Sequence, residues 1–346
     1  MVLGSQAMAH PSAGRTTDIL GFDMPDKKKG KREKYKPANL KKVKTHSVHD
    51  RKTKVSLEQF AALPEPGATV TELLSSLPDV FAARSLRKLI GDIVTARENE
   101  RPVVMAFGGH VVKCGLGPVV IDLMRRGFVT AVAMHGATAI HDYEISLVGQ
   151  TSEDVGPVLK DGSFGMARET PKALANAADK ASKERKGLGN ALGNLIISKK
   201  NKYRDLSVLA AAAELGVPAG IMIALGTDTI SMHPDFAPEK LAAASHLDFR
   251  LLVSIAADLE GGVWMNVGSA VILPEVFLKV LNAARNLGNR VENFTTANFD
   301  MYQHYRPNTN VVGRPTKRGY SITGHHEIML PLLRMGILGA AQEGGR

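Results

Sequence analysis

The stretch PVVMAFGGHVVKCGLGPVVIDLMRRGFVTAVAMHG (102–136) decides how the chain is read. It opens with VVMAF, five apolar residues in succession. A strand with one wet face would alternate; an unbroken run fits a strand covered on both faces. Gly108, Gly109 and His110 end that run. VVIDLMRRG (119–127) has helical spacing, and FVTAVAMHG (128–136) is a second apolar run ending in His-Gly. Strand, helix and strand in so short a space make a crossover unit, which needs a parallel sheet.

The same pattern continues downstream. AGIMIALGTD (219–228), GVWMNVGS (262–269), VENFTTANFD (291–300) and YSITGHHE (320–327) read as further strands. Helical stretches lie between them at 171–198, 205–216, around 237–259 and at 275–288, the last with Pro274 suited to a first turn. Upstream, 71–99 is an amphipathic helix broken near Pro78. The expected fold class is α/β, a parallel sheet with helices on both faces.

Composition sets the outer bounds. Of the 346 residues, 44% are hydrophobic, enough for a core and too many for a disordered chain. The single cysteine, Cys114, excludes an internal disulfide and any multi-cysteine metal site, and reads as an inert thiol. The net charge of +10 is local: residues 27–54 hold 13 Lys/Arg against 2 Asp/Glu, and the remainder balances to −1. Residues 1–55 therefore read as a basic extension and 56–346 as one α/β domain. The basic segment is either a solvated tail or a contact for an acidic surface or nucleic acid.

No apolar run follows a basic start at the N-terminus, which argues against a secretory signal. Only 207–226 approaches membrane-span length, and Glu214 and Pro218 interrupt it as a helix followed by a buried strand would. A soluble, cytoplasmic protein is expected, with no membrane partner.

In open parallel sheets ligands bind outside the carboxyl ends of the strands. Here those ends carry GGH (108–110), HG (135–136), GTD (226–228), NVGS (266–269), TTANFD (295–300) and TGHHE (323–327). Glycine lets a backbone approach a ligand, and the polar residues supply hydrogen bonds. Seven histidines fall at or just after strand ends: His110, His135, His141, His233, His304, His325 and His326. With Asp142, Asp228, Asp300 and Glu327 they suit acid–base chemistry near neutral pH.

The same side chains could ligate a metal, so a metal-dependent hydrolase stands as an alternative, as does a non-enzymatic binding protein with a basic tail. No H-E-x-x-H pattern supports the metal, and no metal ligands are assigned. G-x-S-x-G is absent, and no G-x-G-x-x-G follows any strand, so a dinucleotide would be held without its usual fingerprint.

Over about residues 70–340 the chain resembles the deoxyhypusine synthase family. PVVMAFGGHVVKCGLGPVVIDLMRRGFVTAVAMHGATAIHDYEISL is similar to its first strand–loop–helix–strand unit. GVPAGIMIALGTD, NVGSAVILPE, VENFTTANFD and HHEIMLPLL follow in the family's order. The resemblance implies a Rossmann-like NAD-binding fold and a homotetramer. It further implies NAD-dependent transfer of an aminobutyl group from spermidine, or another polyamine, to an amine acceptor.

It also implies residue roles. The cofactor positions would be Gly108, Gly109, His110, Gly136, Asp142, Thr227, Asp228, Gly268, Ser269, Thr296, Ala297 and His325. Asp300 falls near the polyamine amines, Glu327 would help to steer them, and His141 or His304 would move protons. The family's catalytic lysine is replaced: NVVGRP (310–315) puts Arg314 at its place, with Lys317 nearby. Arginine stays protonated and does not readily form an imine, which puts a protein-lysine acceptor in doubt.

Overall fold

The computed structural model describes residues 35–344; the first part of the basic run, 27–34, lies outside the described residues. The chain divides into two compact units, Met1–Lys54 and Val55–Arg346. In the first, residues 35–54 are exposed throughout. They contain two 3₁₀ turns, Leu40–Lys42 and Val48–Asp50, capped by the side chains of Asn39 and Ser47.

The second unit opens with a 3₁₀ turn, Leu57–Gln59, followed by α1 (Val70–Ser76) and α2 (Phe81–Glu98). Then come β1 (Val103–Phe107), α3 (Gly109–Lys113), α4 (Gly117–Arg125), β2 (Ala131–His135), α5 (Gly136–Val148) and the single turn α6 (Val155–Val158). α7 (Glu169–Glu184), α8 (Leu188–Ser198) and α9 (Val208–Leu215) lead to β3 (Ala219–Met222), and α10 (Pro238–Ala257) to β4 (Val263–Val267). α11 (Ile272–Asn286) follows, then β5 (Thr295–Asp300) and the short turn α12 (Tyr305–Pro307), which runs into a π-helical turn at Asn308–Gly313. β6 (Arg318–Thr323) and α13 (His326–Gly344) complete the unit.

The strands form one parallel sheet in the order β3-β2-β1-β4-β5-β6. The chain winds outward from β1 to β3, crosses back through α10, and continues from β4 on the other side of β1. The order therefore switches between β1 and β4, and the loops leaving those two strands diverge. The fold is the Rossmann-like α/β sheet.

Each strand is buried on both faces until the far edge, where β6 is half exposed. On one face Val103, Met105, Phe107, Val132 and Met134 join a core with residues of α2, α4, α9 and α13. On the other, Val104, Ala106, Ala133 and Trp264 meet α10 and α11. Trp264 stacks on Phe277 at 4.5 Å, and Phe294 closes on Phe277 edge-on.

The six strands lie where their apolar runs lie, although β5 starts at Thr295 and β6 at Arg318. The 171–198 stretch is two helices, parted by a turn in which Arg185 has φ 51°. α5 was not evident from periodicity, because His141, Asp142 and Glu144 interrupt its apolar stripe.

β3 is an outer strand, and unpaired edge groups must be satisfied or covered. α10 does this with side chains. Asp248 Oδ2 accepts the Ile221 N–H at 2.9 Å and the Gly189 N–H at 3.0 Å. Ser245 Oγ donates to the Ile221 carbonyl at 2.8 Å and accepts the Ile223 N–H at 3.1 Å. Among the described residues, no helix is long and apolar enough to cross a membrane.

Candidate functional site

At the switch in strand order the backbones of the two diverging loops touch. Gly108 N–H donates to the Val267 carbonyl at 2.9 Å, and Gly268 N–H to the Phe299 carbonyl at 2.9 Å. A Cβ on Gly108 would lie 2.2 Å from the Gly268 carbonyl oxygen and 3.4 Å from His135 Nε2. Gly268 has φ 64°, a conformation that excludes most side chains, and a Cβ there would meet His326 Nε2 at 2.5 Å. Only glycine fits at either position, so the floor between the loops is bare backbone.

Imidazoles surround that floor. His326 opens α13 and is 3% exposed, and its Nδ1 is buried without a hydrogen-bond partner. Its ring meets that of exposed His110 edge-on, with centroids 5.9 Å apart. Burial lowers the His326 pKa; the Asp300 carboxylate pulls it back up and His110 pushes it down. Asp300, at the end of β5, is 8% exposed and accepts the Tyr302 N–H at 3.4 Å.

His135 and His141 stand on the β2 side. Burial holds His135 down at about 4, and burial together with Lys113 and His135 holds His141 at about 4. Both are neutral at pH 7. His141 Nδ1 lies 2.7 Å from Thr151 Oγ1, whose hydroxyl donates to Glu144 Oε2 at 2.5 Å. With the hydroxyl proton on Glu144, Thr151 accepts from Nδ1–H, leaving a lone pair on Nε2. The Nε2 edge of that ring faces Gly109, where a Cβ would lie 3.1 Å from His141 Cδ2.

A chain of buried amides runs below. Asn266 Nδ2 donates to Asn298 Oδ1 at 2.7 Å and to the Ser269 carbonyl at 2.9 Å. Asn298 Nδ2 donates to Gln303 Oε1 at 2.8 Å. Asn266 and Asn298 are register partners on β4 and β5, and Asn266 Oδ1 is buried with no partner.

The strand-end cluster thus brings together Gly108, Gly109, His110, His141, Gly268, Ser269 and Asp300 of the predicted set. Ser269 Oγ also accepts the Leu273 N–H at 3.2 Å, fixing the start of α11. The His325 side chain is 60% exposed and lies 3.8 Å from exposed Glu327, while its neighbour His326 turns inward.

Three other predicted cofactor positions are spent on the fold. Asp142, 1% exposed, accepts from Ser207 Oγ at 2.5 Å, Val208 N–H at 2.8 Å and Leu209 N–H at 3.2 Å, so it caps α9. Burial pushes its carboxyl up to about 6 despite these donors. Asp228 accepts the Ala224 N–H at 2.9 Å and draws on the Ala137 N–H, bracing the first turn of α5. Gly136 is small because a Cβ there would lie 2.0 Å from Asp228 Oδ2.

Thr296 and Ala297 sit in the lower half of β5, buried. Thr296 Oγ1 donates to the Val311 carbonyl at 2.7 Å, and Ala297 packs in the core. Thr227 is exposed and donates to the Ala224 carbonyl. His304 is exposed at the start of α12. Arg314 is exposed on the chain returning to the amino end of β6, with NH1 donating to Asn310 Oδ1 at 3.0 Å. No side-chain hydrogen bond among the described residues joins any of these to the cluster.

Sequence reading quoted Asn266 and Asn298 within the strand ends NVGS and TTANFD without singling them out, and it overlooked Gln303, Thr151 and Glu144. The two asparagines interrupt apolar strands near their carboxyl ends, which was the available signal. Thr151 and Glu144 matter only through His141, and nothing local marks them. No group of three His, Cys, Asp or Glu among the described residues is arranged to hold a metal ion, so the metal-hydrolase alternative has no ligand set there.

No family model matches the chain, and neither does any curated protein. Among solved structures it is similar to a conserved protein of Methanococcus maripaludis S2 described as LOR/SDH. That pair shares 14% identity at a TM-score of 0.51, over 84% of this chain and 75% of the other. An Entamoeba histolytica protein described as a deoxyhypusine synthase shares 11% identity at a TM-score of 0.48, over 80% of this chain and 95% of that one. AgrE, crystallised with ornithine and NAD+, shares 13% identity at a TM-score of 0.48; the match covers 75% of this chain and 33% of AgrE. At these identities the likeness is one of fold, and it does not make the chain a member of the deoxyhypusine synthase family.

Proposed function

We propose that this chain is an NAD-using enzyme acting on a small amine or polyamine. Spermidine and aminobutyl transfer to an amine acceptor are the specific case that the sequence resemblance suggests. One observation carries the reading: at the switch in strand order, two glycines keep the floor between diverging loops free of side chains, beside buried polar atoms that lack partners. A dinucleotide suits that floor: Gly108 and Gly268 let the two loop backbones and the His326 ring close on one another where a Cβ would hold them apart, and His326 Nδ1 and Asn266 Oδ1 each await a hydrogen bond. Gly108, Gly268, Asn266 and His326 would hold the cofactor, which when bound supplies a hydride acceptor.

The chain's own residues would do the rest. An amine must lose a proton before it gives up hydride, and neutral His141 offers a lone pair at Nε2, with Thr151 and Glu144 fixing the ring. Asp300 supplies the negative charge that attracts a cationic amine. The sequence resemblance sets Arg314 at the family's lysine, and on that alignment transfer to a small amine or to water fits better than transfer to a protein lysine. Assembly into a tetramer belongs to the same reading.

The test is titration of the purified chain with NAD, followed by absorbance in the NADH band after spermidine is added. Saturable binding and a new NADH signal are expected, with both lost in Gly268→Val. A chain that neither binds NAD nor reduces it with any polyamine overturns the proposal.

A further inference from the structure

A second candidate site lies at the other end of the sheet. A groove of about 760 Å³ opens beside the amino end of β3, away from the strand ends that carry the histidines. This volume is in the range of small-molecule sites, roughly 300–1,000 Å³. Half-buried Val217, Leu247 and Leu251 give it apolar walls, and Arg185, Lys186 and Arg250 also line it. No carboxylate is among the residues lining it.

The cations are available. Lys186 Nζ is 3.5 Å from Glu184, whereas Arg185 and Arg250 form no ion pair among the described residues. Arg185 sits at the left-handed turn between α7 and α8, and Arg250 projects from α10 on the other side. The buried acid closest in sequence, Asp248, is 0% exposed; it lies behind Gly187, with Oδ2 engaged by Gly189 and Ile221, and does not itself line the groove.

We infer that this groove binds a small organic anion: an apolar or aromatic body carrying a phosphate, sulfonate or carboxylate. The body would cover the leucines and valine, and the anionic group would take the two guanidinium forks. Neither half of this chemistry involves the glycine-lined cradle, so the site is separate from the proposed cofactor site.

The probe is 1-anilinonaphthalene-8-sulfonate, an aromatic sulfonate that fluoresces when shielded from water, titrated into the full chain. One saturable site per chain is expected. In Arg185→Glu/Arg250→Glu its affinity should fall at least tenfold, with circular dichroism and NAD titration unchanged. If that variant does not fold, Arg185→Ala/Lys186→Ala in the exposed turn should show a severalfold loss. N-phenyl-1-naphthylamine, the uncharged analogue, should bind at least tenfold more weakly than the sulfonate.

Three results overturn the assignment. They are equal binding of the charged and uncharged probes, unchanged affinity in the charge variants, and displacement of the sulfonate by saturating NAD. The last would move the probe to the strand-end cradle.

Discussion

The two sides of this sheet bury polar groups to opposite ends. Around β2 and β3, Asp142, Asp228 and Asp248 are buried, and each carboxylate is taken up by backbone N–H groups at a helix start or a strand edge. Around β1 and β4, buried His326 and Asn266 each retain an atom without a partner. Asp248 Oδ1 blurs the line only slightly, since it lies close to the Leu188 N–H outside hydrogen-bonding geometry. A buried polar side chain therefore says little by itself. What distinguishes a site is bonding capacity that the fold leaves unused.

The largest expected effect tests the engaged side. Asp248→Ala strands the Ile221 and Gly189 N–H groups inside the protein, and each buried orphan costs about 1–3 kcal/mol. A loss of roughly 3 kcal/mol or more in urea unfolding is expected. His326→Ala should behave in the opposite way. It removes a group that already lacks a partner, so stability should change by about 1 kcal/mol or less while NAD affinity drops at least tenfold. If His326→Ala proves as destabilising as Asp248→Ala, the contrast between the two sides collapses.

Gly108→Ala comes next. Its Cβ would sit 2.2 Å from the Gly268 carbonyl oxygen, a backbone atom that cannot swing away. Forcing the loops apart should cost about 1–3 kcal/mol, within the range for overpacked interiors, and abolish NAD binding. Gly115→Ala is the control outside the cradle: its φ of 74° imposes strain, but nothing lies within 4 Å of the new Cβ. It should lose some stability and keep NAD affinity. Equal loss of affinity in both variants would mean that backbone strain, not the cradle, is being measured.

How far the sequence revealed this arrangement depends on the range of the interaction. The strands were legible because full burial needs an unbroken apolar run, and VVMAF (103–107) and GIMIAL (220–225) supply one. The order of the strands was not, since periodicity carries no information about which strand lies beside β1. The division of labour among the aspartates was hidden for the same reason. Asp142 and Asp228 stand at strand ends as ligand-binding acids would, and the groups that occupy Asp142 belong to a helix 65 residues later. The adjacent histidines posed a local question, which of two faces inward, and only the packing of α13 answers it in favour of His326.

Acid should separate the buried imidazoles from the buried aspartates, within the β2 and β3 side itself, by the sign of their titration. His135 and His141 are held at about 4 in the folded chain against an ordinary 6.5. The unfolded chain therefore takes up protons first, and the stability they contribute above pH 6.5 is lost as pH falls through 4. Asp142 and Asp248, pushed up to about 6 and about 7, act in reverse: their contribution is full below the ordinary carboxylate value and is lost as pH rises through the shifted one. The wild-type profile is a difference of the two. Comparing His135→Gln/His141→Gln with wild type by urea unfolding at pH 7 and pH 4.5 isolates the histidines. The double variant should lose about 1–3 kcal/mol less than wild type on acidification. Equal losses would mean that the rings are not desolvated.

The smallest effect is expected at Arg314, where the sequence placed the replacement for a catalytic lysine. The side chain is exposed, makes one bond to Asn310 Oδ1 at 3.0 Å, and lies on the chain returning to the amino end of β6. Reaction at the strand-end cluster requires groups at the carboxyl ends, and this residue is on its way to the other side. Arg314→Ala should shift stability by no more than about 0.5 kcal/mol, the usual range for an exposed substitution, and leave NAD affinity within twofold. Arg314→Lys should create no new imine-forming activity, because an amine there stands no nearer the cluster than the guanidinium does. A hundredfold fall in turnover in Arg314→Ala, with NAD affinity intact, would reverse this. It would mean that the stretch around Arg314 moves to the cluster during reaction, and that the side with unused bonding capacity is completed by a residue that is not bonded to it in this structure.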